Sequence, residues 1–78
     1  MMHAFWSVRC KTPSCRGIKA VRYIGEFEQE VPIRTIPADF PERFDLKCGD
    51  CGKAHSYTLS DLKARYFDSP PSPEFRAL

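Results

Sequence analysis

Four cysteines occur in this chain of 78 residues, and they fall into two pairs. Cys48-Gly49-Asp50-Cys51-Gly52 is tight, whereas Cys10-Lys11-Thr12-Pro13-Ser14-Cys15, about thirty residues upstream, is looser. Two such pairs, each closed by a turn, are what a four-thiolate metal site needs. The turn after Cys48 is short enough to point both sulfurs to the same side of the chain. Positive φ at Gly49 and Gly52 would let amide N–H groups turn inward toward those sulfurs.

Chain length makes that reading consequential. Below roughly 70–80 residues an apolar core alone rarely contributes more than about 3–5 kcal/mol. Structural zinc contributes roughly 10–16 kcal/mol of apparent binding free energy in small finger peptides. On those magnitudes a metal decides whether the chain folds. Two disulfides would instead suit a secreted protein, but Met1 to Arg9 is too short and polar for a signal peptide. No apolar run approaches the ~20 residues of a membrane span, so the expected compartment is a reducing cytoplasm. A redox dithiol at Cys48 and Cys51 would want a βαβ context, which so short and Pro-interrupted a chain does not supply.

Residues 4–9, with Phe5, Trp6 and Val8, read as a first strand running into Cys10. Cys10 to Gly17 is the first knuckle, and Ile18 to Ile24 the return strand. In that strand Ile18, Ala20 and Ile24 suit one face, Val21 and Tyr23 the other. Pro32, Pro37 and Pro41 exclude a long helix from Glu26 to Glu42. Val31, Ile33 and Ile36 there predict an edge strand plus a bound loop. Phe44, Leu46 and Cys48 alternate with Arg43, Asp45 and Lys47, a half-buried strand feeding the second knuckle. His55, Tyr57 and Leu59 alternate with Ser56 and Thr58 in the strand that leaves it. Ser60 as N-cap, Asp61 in the first turn, and Leu62, Tyr66 and Phe67 as an apolar stripe predict one short helix of about two turns. The chain divides into a domain at 1–68 and a flexible Pro-rich tail at 69–78, with a polyproline II run at Pro70–Pro73.

Strand, knuckle, strand, then strand, Cys-x-x-Cys-Gly, strand resembles the zinc ribbon family. Cys10 and Cys15 carry the resemblance in the first knuckle, and Cys48, Cys51 and Gly52 in the second. Leu46-Lys47-Cys48-Gly49-Asp50-Cys51-Gly52-Lys53, with Tyr57 and Asp61-Leu62 beyond, is the most family-like stretch. The resemblance spans residues 4–67. It implies a small metal-bound β fold of rubredoxin-like architecture, with two knuckle hairpins in one antiparallel sheet plus a short C-terminal helix. It also implies one tetrahedral zinc ion held by Cys10, Cys15, Cys48 and Cys51. Four residues between Cys10 and Cys15, where two are commoner, depart from the pattern and count against a rubredoxin-like iron site. Ribbons serve polymerases, ribosomes, nucleases and protein-docking modules alike, so the fold does not name a role.

Four thiolates saturate zinc and leave no position for water or substrate, which points to structure rather than catalysis. His3 and His55 have no nucleophile at a recognisable spacing, so a hydrolytic enzyme is not expected; His55 reads as a partly buried strand histidine. Arg9, Lys11, Arg16, Lys19 and Arg22 precede the first acid, Glu26, and Lys53 follows the second knuckle. These six are the candidate contacts to nucleic acid or a protein partner, with Phe5, Trp6 and Tyr23 near enough in sequence to stack on bases. The blander reading, which accounts for most of them, is that Arg9, Lys11, Arg16, Lys47 and Lys53 offset the −2 charge that four thiolates leave around a divalent ion. That charge also brings the formal net of +2 close to neutral. Phe5 and Trp6 read first as core. Glu26, Glu28 and Glu30 read as a solvated edge, with docking on the basic face of a second copy, giving a homodimer, as the alternative. The expected function is a non-enzymatic binding module. The other readings are iron electron transfer and a purely protein-docking or dimerisation domain.

Overall fold

The computed structural model describes residues 1–77. Its elements are β1 (Met2–Arg9), β2 (Ile18–Phe27), β3 (Arg43–Lys47), β4 (Ala54–Thr58) and, after a 3-10 turn at Leu59–Asp61, β5 (Lys63–Phe67). The two knuckle hairpins are present, as β1–β2 and β3–β4, both antiparallel. They do not share one sheet. β2, β1 and β5 form a three-stranded sheet in that order, and β3 and β4 form a separate two-stranded one.

The expected C-terminal helix is absent. Residues Lys63 to Phe67 instead pair antiparallel with β1, setting Phe5 opposite Arg65 and Trp6 opposite Ala64. The only helical piece among the described residues is the 3-10 turn, preceded by Thr58, whose amide N–H donates to the Asp61 carboxylate at 2.9 Å. Ser60 lies inside that turn and does not cap a helix. The physical reason is β1: His3 through Val8 are all buried, so the backbone groups on both of its edges must find partners inside the protein. β2 satisfies one edge and β5 the other. A short apolar run such as Leu62, Tyr66 and Phe67 is ambiguous between helix and strand on pattern alone, and that unmet edge decides it.

Alternation along β1 sends Ala4, Trp6 and Val8 to one face and Phe5, Ser7 and Arg9 to the other. The first face meets the β3–β4 hairpin. Trp6, Val8, Val21, Phe40, Phe44, Tyr57 and Leu62 form the core there. On the second face, Phe5 meets Tyr23, Phe67 and Phe75 at ring-centroid distances of 5.1, 5.2 and 5.6 Å. Phe5 and Trp6 are therefore both interior, on opposite sides of one strand. Register shifts between Ala4 and Phe5 and between Trp6 and Ser7 interrupt the β1–β2 ladder. They disturb the alternation expected of β2, and Val21 and Ile24 both serve the core.

No strand forms from Val31 to Ile36. The prolines deny that segment a ladder, and side chains hold it instead. Ile33 and Ile36 pack against the core. The Val31 amide donates to the Tyr66 hydroxyl at 2.9 Å, and that hydroxyl donates to the Val31 carbonyl at 2.6 Å. The loop also delivers Phe40, buried beside Phe44. Phe75 ties the C-terminal segment to Phe5; Leu78, the last residue of the predicted tail, lies outside the described residues. Among the described residues no helix is long and apolar enough to cross a membrane.

Tyr66→Phe removes both hydrogen bonds to Val31 while keeping the ring that meets Phe27 edge-on. We expect a loss of about 0.5–1.5 kcal/mol in stability and faster hydrogen exchange at the Val31 amide. Unchanged exchange there would contradict the clamp.

Candidate metal centre

The tips of the two hairpins meet at one end of the molecule. Within each knuckle, backbone bonds set the turn. The Cys10 amide donates to the Gly17 carbonyl at 2.8 Å and the Cys15 amide to Thr12 at 3.0 Å. In the second knuckle, the Cys48 amide donates to Lys53 and the Gly52 amide to Cys48, each at 2.9 Å. Gly52 takes the positive φ expected of it, +76°; Gly49 does not need one. Gly17 matters for a different reason: a Cβ there would lie 2.5 Å from a carboxylate oxygen of Asp50 and 3.2 Å from the Cys48 sulfur. The exposed Asp50 side chain could swing aside, but the Cys48 sulfur would have to shift by a few tenths of an ångström, so a side chain at Gly17 would press on the cluster.

This approach brings Cys10, Cys15, Cys48 and Cys51 together, with all four sulfurs within 4.8 Å of one another. Two of the separations between knuckles, Cys10 to Cys51 and Cys15 to Cys48, are both 3.6 Å. A tetrahedron with metal–sulfur bonds of about 2.3 Å has edges of about 3.8 Å, so the cluster fits one four-coordinate ion. All four are free thiols, and four mutually close sulfurs are not the arrangement of two covalent pairs. Geometry of this kind suits zinc or iron alike.

The surroundings of the sulfurs are unequal. Cys10 is buried, Cys15 and Cys48 are half-buried, and Cys51 is exposed. Cys51 receives a hydrogen bond from the Thr12 hydroxyl at 3.5 Å. That bond first, and the Lys53 amide second, lower its thiol to about 6. Cys15 accepts from the Gly17 amide at 3.4 Å, yet desolvation and the three other sulfurs outweigh that bond and push it up to about 12. One thiol thus ionises readily, and another only when a cation offsets the crowding. Such a cluster calls for a bound positive ion.

Thr12 was not singled out by sequence reasoning. It is buried and sits between Cys51 and His55, whose Nε2 lies 2.8 Å from the hydroxyl oxygen. With Thr12 donating to sulfur, its oxygen accepts from the Nε2–H tautomer of His55. His55 therefore orients a hydroxyl that supports a ligand and is not itself part of the cluster, an arrangement known to tune metal sites from outside the ligand set. The available signal was a hydroxyl residue inside the Cys-x4-Cys loop together with a histidine four positions past Cys51.

The candidate contact residues scatter. Lys11 donates to the Ser56 carbonyl at 2.6 Å, pairs with Asp61 at 3.2 Å and lies over the Tyr57 ring, joining the first knuckle to β4 and the 3-10 turn. Arg22 pairs with Asp39 at 2.9 Å and lies 4.5 Å above the Phe40 ring. Lys19 lines a cleft of about 280 Å³ between the hairpins, with Val8, Leu46, Tyr57 and Asp50. Arg9, Arg16 and Lys53 are exposed, and Arg9 lies close enough to Arg65 for their charges to interact. Compared with known proteins, the chain matches no family model, no curated protein and no solved structure.

Thr12→Val keeps the shape of the knuckle and removes the bond to Cys51. We expect metal affinity to fall about 10–100-fold, measured by competition with a coloured chelator. Because the ligands must lose protons to bind, metal should be released as pH falls, which the same chelator assay reads.

Proposed function

We propose that the protein is a non-enzymatic binding module of the zinc ribbon kind, in which one structural Zn²⁺ joins two hairpins. The observation that carries this reading is the cluster of four sulfurs within 4.8 Å. Four thiolates fill a tetrahedral zinc shell, so no coordination site is left for a substrate or an activated water. The order of hairpins and knuckles, and the match at Cys48, Cys51 and Gly52, support the ribbon reading. The cleft beside the cluster is lined by Cys10, Cys48, Lys19, Asp50 and Tyr57, and with both thiols bound to the metal it would keep no free nucleophile.

The partner we favour is nucleic acid or the machinery that handles it. Arg9, Arg16, Lys19 and Lys53 make no ion pair among the described residues, which leaves their charge for an outside anion. Lys11 and Arg22 serve inside the fold. Docking on a protein is the reading that stands if oligonucleotides do not bind.

Metal analysis of the purified protein tests the premise. We expect one zinc per chain and a colourless solution, with chelation causing loss of the folded state. A red protein would assign iron and electron transfer instead. A metal-free chain that stays folded would overturn the module altogether.

A further inference from the structure

The face of the three-stranded sheet turned away from the core carries a pattern that neither hairpin tip shows. Phe5, Ser7 and Arg9 point to that face from β1. Tyr23 stands opposite Phe5 on β2, and Arg65 and Lys63 stand opposite Phe5 and Ser7 on β5. Rings thus occupy one end of the face and cations the other, with Arg65 at the junction.

Arg65 is held there deliberately. Its Nη1 donates to the Ser7 hydroxyl at 2.7 Å, and that hydroxyl donates onward to the Lys63 carbonyl at 3.0 Å. Ser7 is fully buried, so this bond draws the guanidinium down onto the sheet, and Arg65 is itself half-buried. No described acid pairs with Arg65, Arg9 or Lys63. Burial first, and the charge of Arg9 second, depress the Arg65 guanidinium below its ordinary range. Two arginines on one face of the sheet, one of them half-buried, form a site that suits phosphate, because guanidinium matches phosphate in geometry as well as charge.

The other end of the face accepts flat rings. Phe75 already rests edge-on against Phe5, while Tyr23 and Phe67 are half-buried and keep part of their surface outward. The acid on this face, Glu26, lies opposite His3, at the end away from Arg9 and Lys63. It would turn a polyanion's phosphates toward the cations and leave its bases to the rings.

We propose that this face binds single-stranded nucleic acid, with phosphates on Arg9, Lys63 and Arg65 and bases against Tyr23 and Phe67. The inference rests on the binding-module reading but moves the contact surface. Of the knuckle cations only Arg9 belongs to it, and Lys63 and Arg65 come from β5. Rings beside cations are the combination that single-strand binders use, stacking for the bases and charge for the backbone.

The test uses the zinc-loaded full chain and a thymidine oligonucleotide of about ten nucleotides, titrated across a range of salt. Three phosphate contacts predict a log–log salt slope near −2. Arg9→Gln with Lys63→Gln, both at exposed positions, should weaken binding roughly tenfold at low salt and flatten the slope by about 1.4. The charge-matched control, Arg43→Gln with Lys47→Gln on β3, should leave both unchanged. Tyr23→Leu should weaken the oligonucleotide but not inorganic polyphosphate. If the β3 pair matters equally, or polyphosphate competes as well as the oligonucleotide with Tyr23 idle, the assignment of this face is wrong. If the zinc-bound chain ignores oligonucleotides at low salt, this inference falls and the module reading continues as protein docking. Metal-free folding would instead sink the module reading and leave the binding result standing.

Discussion

Everything in this small protein is arranged around four sulfurs that repel one another once ionised and that lie, even so, within 4.8 Å. Among the described residues, no side-chain cation is hydrogen-bonded to any of the four sulfurs. The cations nearest in sequence are exposed or committed elsewhere, as Lys11 is to Ser56 and Asp61. A metal ion is the one component that turns the crowding into attraction. It would do so where two separate sheets meet, which would couple metal binding to the packing of one hairpin on the other. The backbone is shaped for this approach: Gly17 leaves room for Asp50 and for the Cys48 sulfur.

The second constraint is β1. A strand whose side chains are buried on both faces cannot also leave an edge in water, and β2 and β5 together close both edges. Its two faces then do different work. Trp6 and Val8 carry the core that joins the three-stranded sheet to the β3–β4 hairpin. Phe5 and Ser7 organise a second layer in which rings and a hydrogen-bonded guanidinium lie near the surface. A metal held by the four cysteines would tie the hairpins at their tips, where Trp6, Tyr57 and Leu62 join them along their length.

The charges show how misleading sequence proximity can be. Lys11 and Arg22 belong to the basic run before Glu26, yet one stitches the knuckle to β4 and the other closes over Phe40. Arg65, remote from that run, ends up near Arg9 because β5 returns beside β1. Thr12 makes the same point for the metal centre. Its importance comes from the 2.8 Å contact with His55 and the bond to Cys51, which join residues about forty positions apart.

What the sequence determined by itself was local. Paired cysteines around tight turns specify knuckles, because a short loop leaves the sulfurs few directions in which to point. Alternation such as Phe44, Leu46 and Cys48 specifies a half-buried strand. Those two signals sufficed for both hairpins and for the ligand set. The division into two sheets, the strand at Lys63–Phe67 in place of a helix, and the burial of Phe40 by an irregular loop were decided by tertiary structure. Each depends on satisfying a backbone edge or filling a space that exists only once distant segments have met, and no local pattern encodes such a demand.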